Sequence, residues 1–390
     1  MSARPVLAHV TTTDISLALL LGPQLRAFAD AGYDVVGVSA PGPYVAELES
    51  WGIRHIGLQH ATRAMAPQRD LAALVELRRV FRRLAPAIVH THNPKPGIYG
   101  RLAARAARVP TIVNTVHGLY ALPEDRWAKR AVVYSLERIA ATCSHAELVQ
   151  NPEDIEVLRR LGVPADRVHL LGNGIDLARF DPARVSPARR DALRAEWGVD
   201  RDAVVVGVVG RLVEEKGYRE VIATASALAT RAPTLTFVVV GPEEPDKSDG
   251  LDTSLVARAR DLPNVRVLGL RSDVDELYTA FDVYALASYR EGFPRSAMEA
   301  AAMGLPIVAT DIRGCRQVVD RDRTGILVPP RDAPALAAAL ERLADDEVTR
   351  RRMGAAAREK ARREFDDRRC IELTLDVYAR LGASPRAVAS

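Results

Sequence analysis

The sequence predicts an α/β protein of two Rossmann-like domains, each a parallel β-sheet covered by helices. Three observations carry this expectation. A length of 390 residues favours two domains over one. Short apolar runs of strand length alternate with helical patterns through both halves, and strand-helix-strand order implies parallel strands with right-handed crossovers. Composition agrees: 48% of the residues are hydrophobic and only 5% aromatic, with Ala, Val, Leu and Arg dominant, as suits buried parallel strands under helices.

Taken in order, residues 6–10 read as a strand, 17–31 as a helix ended by Gly32, 35–39 as a strand and 46–51 as a short helix. Residues 71–84 form a basic amphipathic helix, with Leu71, Leu74, Val75, Leu77 and Phe81 on one side. Strand 88–92, helix 97–108, strand 111–116 and helix 129–141 follow, and 147–150, 155–161 and 168–171 continue the alternation. A polar, arginine-rich stretch at 177–201 interrupts it. A second strand series then occupies 204–209, 236–240, 265–268, 283–287, 306–309 and 326–328, with helices at 218–229, 274–280, 295–302 and 333–344. The expected domains are residues 1–180 and 181–365. A last helix, 366–381 within the segment 366–390, returns to the first domain by fold analogy. Open α/β sheets take ligands beyond the carboxyl ends of their strands, and two such sheets facing each other enclose a deep cleft.

Net charge is +4, with the excess in the first half: residues 1–180 hold 21 Lys and Arg against 16 Asp and Glu, the remainder 33 against 34. That bias suits an anionic partner or a membrane surface, or else a solvated arginine-rich face. Arg78, Arg79, Arg82 and Arg83 on helix 71–84 carry the same pair of readings. Cys143, Cys315 and Cys370 are too far apart for a zinc spacing and odd in number for a disulfide framework, so a reducing compartment is expected. The apolar run 17–21 is too short to span a bilayer and lacks signal-peptide order. The expectation is a cytoplasmic protein, with room for peripheral contact at the inner face of the cell membrane. Nothing supports a nucleic-acid partner, since there is neither aromatic interleaving nor a recognition-helix motif.

The richest segment is Glu291-Gly292-Phe293-Pro294-Arg295-Ser296-Ala297-Met298-Glu299, two carboxylates eight positions apart with a turn between them at a helix start. Pro294 suits the first helical position and Gly304 the helix end. Backbone N–H groups near Phe293, Arg295 and Ser296 can hold an anion there. Glu299 then suits ribose hydroxyls and Glu291 a sugar; alternatively, Glu291 merely complements the helix dipole and Glu299 is solvated. A sugar nucleotide, a diphosphate flanked by two polyols, presents the matching chemistry. In Gly210-Arg211-Leu212-Val213-Glu214-Glu215-Lys216-Gly217, Arg211 offers a planar fork and Lys216 a mobile charge to a diphosphate, or both pair with Glu214 and Glu215 at the surface. His90, His92 and His117 lack a completing carboxylate or Cys, and no metal is expected. Asp273-Val274-Asp275 reads as a helix cap rather than a metal pair. Lys95, between two prolines, is either an acceptor-phosphate contact or an ordinary loop lysine.

These segments, with Gly172-Asn173-Gly174-Ile175-Asp176, Pro306-Ile307-Val308-Ala309-Thr310 and Gly325-Ile326-Leu327-Val328, resemble the retaining glycosyltransferases of family four, which have the two-Rossmann GT-B architecture. The resemblance is dense in the second half. It is looser in the first, where it rests on His90-Thr91-His92-Asn93-Pro94-Lys95-Pro96 and Thr115-Val116-His117-Gly118. It implies that Arg211 and Lys216 bind the diphosphate, Glu291 the donor sugar and Glu299 the ribose. Arg271 then marks where the base is read through backbone, and His117 faces the donor sugar. Many relatives carry a Gly-Gly loop where this chain has Thr11-Thr12-Thr13-Asp14; hydroxyls of Thr12, Thr13 or Ser16 substitute, or the loop serves the acceptor.

The resemblance implies a retaining, metal-independent transferase without a cofactor. It would move a sugar from a nucleotide donor, UDP first and guanosine next, to a glycan, lipid-linked or small-molecule acceptor, in envelope polysaccharide or glycan assembly. The alternatives are a sugar-nucleotide epimerase on the same plan and a non-catalytic sugar-nucleotide sensor.

Overall fold

The computed structural model describes residues 4–62, 67–92, 94–118, 125–200, 202–244 and 249–385. The chain forms two compact units, Met1–Gly172 with Asp367–Ser390, and Asn173–Asp366. Residues 173–180 thus group with the second unit, not the first: Ile175 and Phe180 are buried in one core with Leu193, Trp197, Tyr278 and Phe365.

In the first unit β1 (Val6–Thr13), β2 (Asp34–Ala40), β3 (Arg54–Gly57), β4 (Ile88–His92), β5 (Thr111–Val116), β6 (Ala146–Val149) and β7 (Val168–Leu170) form a parallel sheet ordered β3-β2-β1-β4-β5-β6-β7. The order reverses between β1 and β4, where right-handed crossovers switch the helices from one face to the other. Leu7 and Ile88 point into a core with Phe28 and Tyr378, whereas Ala8, Val10 and Val89 face Leu77, Phe81 and Ala103. The final helix, Asp367–Arg380, packs on the first face against helix Gly22–Asp30. The expected helix 17–31 is two pieces, a π-helical turn Ser16–Leu20 and Gly22–Asp30, divided just ahead of Pro23, which has no N–H to carry the first through.

In the second unit β8 (Val204–Val209), β9 (Leu235–Val240), β10 (Val265–Gly269), β11 (Val283–Leu286), β12 (Ile307–Thr310) and β13 (Gly325–Val328) form a parallel sheet ordered β10-β9-β8-β11-β12-β13. Period-two alternation splits the apolar side chains between two cores. Val205, Val238, Tyr284 and Ile307 go to one, and Val206, Phe237, Val283 and Val308 to the other. The order reverses between β8 and β11, so the loops after these two strands flank the switch point. The arginine-rich stretch contains a helix, Pro187–Glu196, capped by Ser186 Oγ, which accepts from Arg189 N–H.

Cys143, Cys315 and Cys370 form no disulfide among the described residues. No described helix is long and apolar enough to cross a membrane.

Candidate active site

The loop after β8 begins at Gly210, whose carbonyl accepts from Tyr218 Oη at 2.7 Å. It closes at Gly217, which has a φ of +68°; a Cβ there would sit 2.0 Å from the carbonyl oxygen of Ala287. Only glycine fits, and that close approach locks the β8 loop onto the end of β11. Lys216 consequently reaches Glu291, Nζ to Oε1 2.5 Å, with the two side chains 21% and 11% exposed. Ser288 Oγ donates to the same oxygen at 2.7 Å. Behind them Thr310 Oγ1 donates to the carbonyl of Ser288 at 2.6 Å. Gly314 lies so near that a Cβ would stand 2.6 Å from the Glu291 carbonyl oxygen. Burial pushes the Cys315 thiol up, and the Glu291 charge adds to it, so this neighbour stays neutral.

Helix Arg295–Ala302 follows. Pro294 is its N-cap, extended at ψ 110°, one place earlier than the sequence reading put it, and no side chain caps the helix. Phe293 lies just before it, its carbonyl accepting from Asn173 Nδ2 at 3.3 Å and its ring edge-on to Phe365. Tyr284 Oη donates to Ser296 Oγ at 2.7 Å. Tyr278 Oη stands 3.0 Å from both the carbonyl of Ser296 and Glu299 Oε2. Burial holds both phenols well above their usual pKa, so they remain donors. Burial raises the Glu299 carboxyl, with Arg295 and the Tyr278 hydroxyl pulling the other way. The site thus has one corner of Lys216, Glu291 and Ser288, an uncapped helix start, and a second corner where Tyr278 orients Glu299.

Other expected residues lie differently. Arg211 leaves the β8 loop with a 46% exposed side chain and donates to Glu244 at 2.8 Å. Arg271 spends its guanidinium on Asp273 and Glu196. Asp273 does occupy the N-cap of helix Val274–Thr279, but its carboxylate caps no N–H; it takes Arg271 and Arg189 instead. Asp275 takes Arg179 at 2.8 Å, so this acidic pair is engaged by arginines.

In the first unit, Asp14 is 4% exposed and accepts from the N–H groups of Ile15 and Tyr44, at 2.9 and 2.7 Å. It staples the end of β1 to the turn after β2. Thr12 and Thr13 close β1 half-buried beside it. Lys95 sits in the first turn of helix Pro94–Ala106, not in a loop, and its ammonium holds Asp70 at 2.5 Å and the carbonyl of Thr62 at 2.9 Å. His117, after β5, is the end of a row in which the sequence reading grouped His90, His92 and His117 but did not find His9. His92 Nδ1 lies 3.1 Å from His117 Nε2, and His92 Nε2 lies 2.9 Å from His9 Nδ1. Burial pushes His117 down to about 4 and His9 to about 3, and lowers His90 and His92 as well. His9, His90 and His92 lie close enough to suggest a metal, yet both nitrogens of His90 are taken by Tyr378 and Thr115, and its ring stacks on His92 at 4.2 Å.

Residues 24–179 match the family described as Glycosyltransferase Family 4, and residues 189–360 that described as Glycosyl transferases group 1. The chain is 32% identical over 285 residues, 72% of each protein, to the UDP-Gal:alpha-D-GlcNAc-diphosphoundecaprenol alpha-1,3-galactosyltransferase of Escherichia coli. It is 26% identical over 92% of its length and 94% of its relative to the N,N'-diacetylbacillosaminyl-diphospho-undecaprenol alpha-1,3-N-acetylgalactosaminyltransferase of Campylobacter jejuni. Among solved structures it superposes on HepE from Anabaena, crystallised with UDP and glucose, with a TM-score of 0.81, 20% identity, and 97% and 100% of the two chains covered. The chain belongs to glycosyltransferase family 4 and is a group 1 glycosyltransferase of GT-B fold.

Proposed function

We propose that the enzyme transfers a sugar from a UDP-sugar to a hydroxyl of a lipid-linked glycan, with retention at the anomeric carbon and without a metal ion, at the cytoplasmic face of the membrane. The observation that carries this reading is the meeting of Lys216, Glu291 and Ser288 beside an uncapped helix start at the strand switch. A diphosphate arriving there finds an ammonium and helix N–H groups, while Glu291, released from Lys216, accepts from the sugar hydroxyls. Arg211 exchanges Glu244 for the same diphosphate. Glu299, steadied by Tyr278, accepts from the ribose. Charge gathers on the departing diphosphate, and cations placed before the reaction stabilise that state more than the ground state. The sugar leaves as an oxocarbenium-like species, the leaving phosphate takes the acceptor proton, and the acceptor oxygen bonds to the same face of the ring. Two relatives named for undecaprenyl-diphosphate acceptors support the acceptor class, and HepE with UDP supports the donor.

The test supplies UDP-sugars and a short-chain polyprenyl-diphosphate glycan, with and without a chelator. The expected product carries the donor's anomeric configuration by proton NMR, at an unchanged rate with chelator. An inverted product, or full loss of activity restored by a divalent ion, would overturn the proposal.

A further inference from the structure

Three histidines of the first unit form a line across its sheet. His9 stands on β1, His92 ends β4 and His117 follows β5, and these strands are neighbours in the order β1-β4-β5. His9 Nδ1 lies 2.9 Å from His92 Nε2, and His92 Nδ1 lies 3.1 Å from His117 Nε2. Each contact therefore joins the Nδ1 of one ring to the Nε2 of the next. His90 takes no part, because Tyr378 and Thr115 hold both its nitrogens. His9 is fully buried, its ring stacked 5.4 Å from that of Phe28, and its Nε2 has no partner among the described residues. His117 is half-buried at the carboxyl end of the sheet, the side on which open α/β folds take ligands. Gln150, just after β6, hydrogen bonds to the same ring.

Counting protons links these rings. Burial lowers all three pKa values, so each ring is neutral at pH 7 and carries one N–H. A nitrogen-to-nitrogen contact of hydrogen-bond length holds one proton, neither none nor two. Two contacts take two of the three protons, so the third sits at one end, on His9 Nε2 or on His117 Nδ1. All three rings then share one tautomer, and the end that cannot adapt decides which. At His9 an N–H would be buried without an acceptor, at a cost of about 1–3 kcal/mol. In native interiors a buried donor goes unpaired more rarely than a buried acceptor. At His117 the amide of Gln150 can turn its oxygen towards an N–H.

We propose that this row fixes His117 as a donor, with the proton on Nδ1 of all three rings, His9 and His92 as positioning residues, and the His117 N–H offered to a substrate oxygen. His117 then takes no proton from an incoming hydroxyl. Only the substrate contact rests on the transfer reading, in which the leaving phosphate takes that proton; the tautomer does not.

The test is nitrogen-15 NMR of the full chain labelled at histidine, at neutral pH, which reads the protonated nitrogen of each ring. Expected is Nδ1–H with a bare Nε2 on His9, His92 and His117, the reverse of the form that free imidazole side chains prefer. In His92→Phe, His117 should leave that form for Nε2–H. Nε2–H on His117 in the native chain, unlike tautomers along the row, or an unchanged His117 in folded His92→Phe would overturn the proposal. The native spectrum decides by itself should His92→Phe fold poorly. It needs no substrate, so its failure and that of the transfer reading are told apart. In sugar transfer, His117→Asn places an amide N–H as many bonds from Cα as His Nδ1. It should keep KM within about twofold of native, whereas His117→Ala should raise KM about three- to tenfold, the loss of one hydrogen bond. Equal KM values for these two variants would overturn the donor role.

Discussion

Replacing Lys216 by Ala removes the cation that Glu291 holds at 2.5 Å and that the proposed mechanism sends to the diphosphate. The two consequences differ in size. In the free enzyme, Glu291 keeps the Ser288 hydroxyl at 2.7 Å but loses its charge partner at 11% exposure. Such a partly buried carboxylate costs about 1–3 kcal/mol of stability, less than a deeply buried one because water still reaches it. In the transition state, a charge-assisted contact to the leaving group disappears, worth about 10²–10³ in kcat. UDP release measured beside glycoside formation reads the second effect, and thermal melting the first. A cycle separates them. If Lys216 acts only by neutralising Glu291, then Lys216→Met costs nothing further once Glu291 is Gln, and the double variant should be as active as Glu291→Gln alone. If Lys216 meets the diphosphate, the double variant stays at least as slow as Lys216→Met alone. A folded Lys216→Ala enzyme within about threefold of the native kcat/KM would refute the reasoning, since one lost charged contact costs far more.

Tyr278→Phe removes the hydroxyl shared by Glu299 and the Ser296 carbonyl, and should raise KM for the donor about three- to tenfold with kcat little changed, read by initial rates. Arg101→Met leaves Glu137 and Glu147 facing each other in the core, and should cost about 3–5 kcal/mol in denaturant melts, the penalty of a broken buried pair. With His9 pushed to about 3 and His117 to about 4 from an ordinary 6.5, the folded state binds fewer protons than the unfolded below pH 6.5. Stability is therefore complete above that pH and drains as pH falls towards those values, by about 1.4 kcal/mol per histidine per pH unit. Denaturant melts between about pH 7 and about pH 5 check the slope, and His9→Gln should lower it by one proton.

Much of the fold is legible because each sheet is strand-periodic and each helix face apolar. The exceptions have physical causes. β3 is four residues, Arg54–Gly57, half-exposed at a sheet edge, with too little apolar alternation to register. Helix Glu347–Glu364 buries Gly354, Ala357 and Ala361, small residues that leave no apolar stripe to read. At the site, Lys216, Glu291 and Glu299 stand out as charges beside glycine and proline turns. That Lys216 and Glu291 touch across 75 positions is a product of the strand order. Tyr278 and Tyr284 were missed because a tyrosine within an apolar run reads as core; only their hydroxyls serve the site. Asp14 and Lys95 look like ligand groups in sequence, yet backbone N–H groups and Asp70 occupy them, a distinction that composition does not carry. The histidine row was half visible: His90 and His92 alternate on β4, but His9 joins them only because β1 is the neighbouring strand.

The central claim is that a nucleoside diphosphate binds at the strand switch of the second unit. A crystal structure of the enzyme with UDP tests it most directly. The account predicts the diphosphate against the first turn of helix Arg295–Ala302, with the Lys216 ammonium turned from Glu291 to a phosphate oxygen and the ribose hydroxyls on Glu299. UDP bound elsewhere, with the Lys216–Glu291 pair intact, would contradict it.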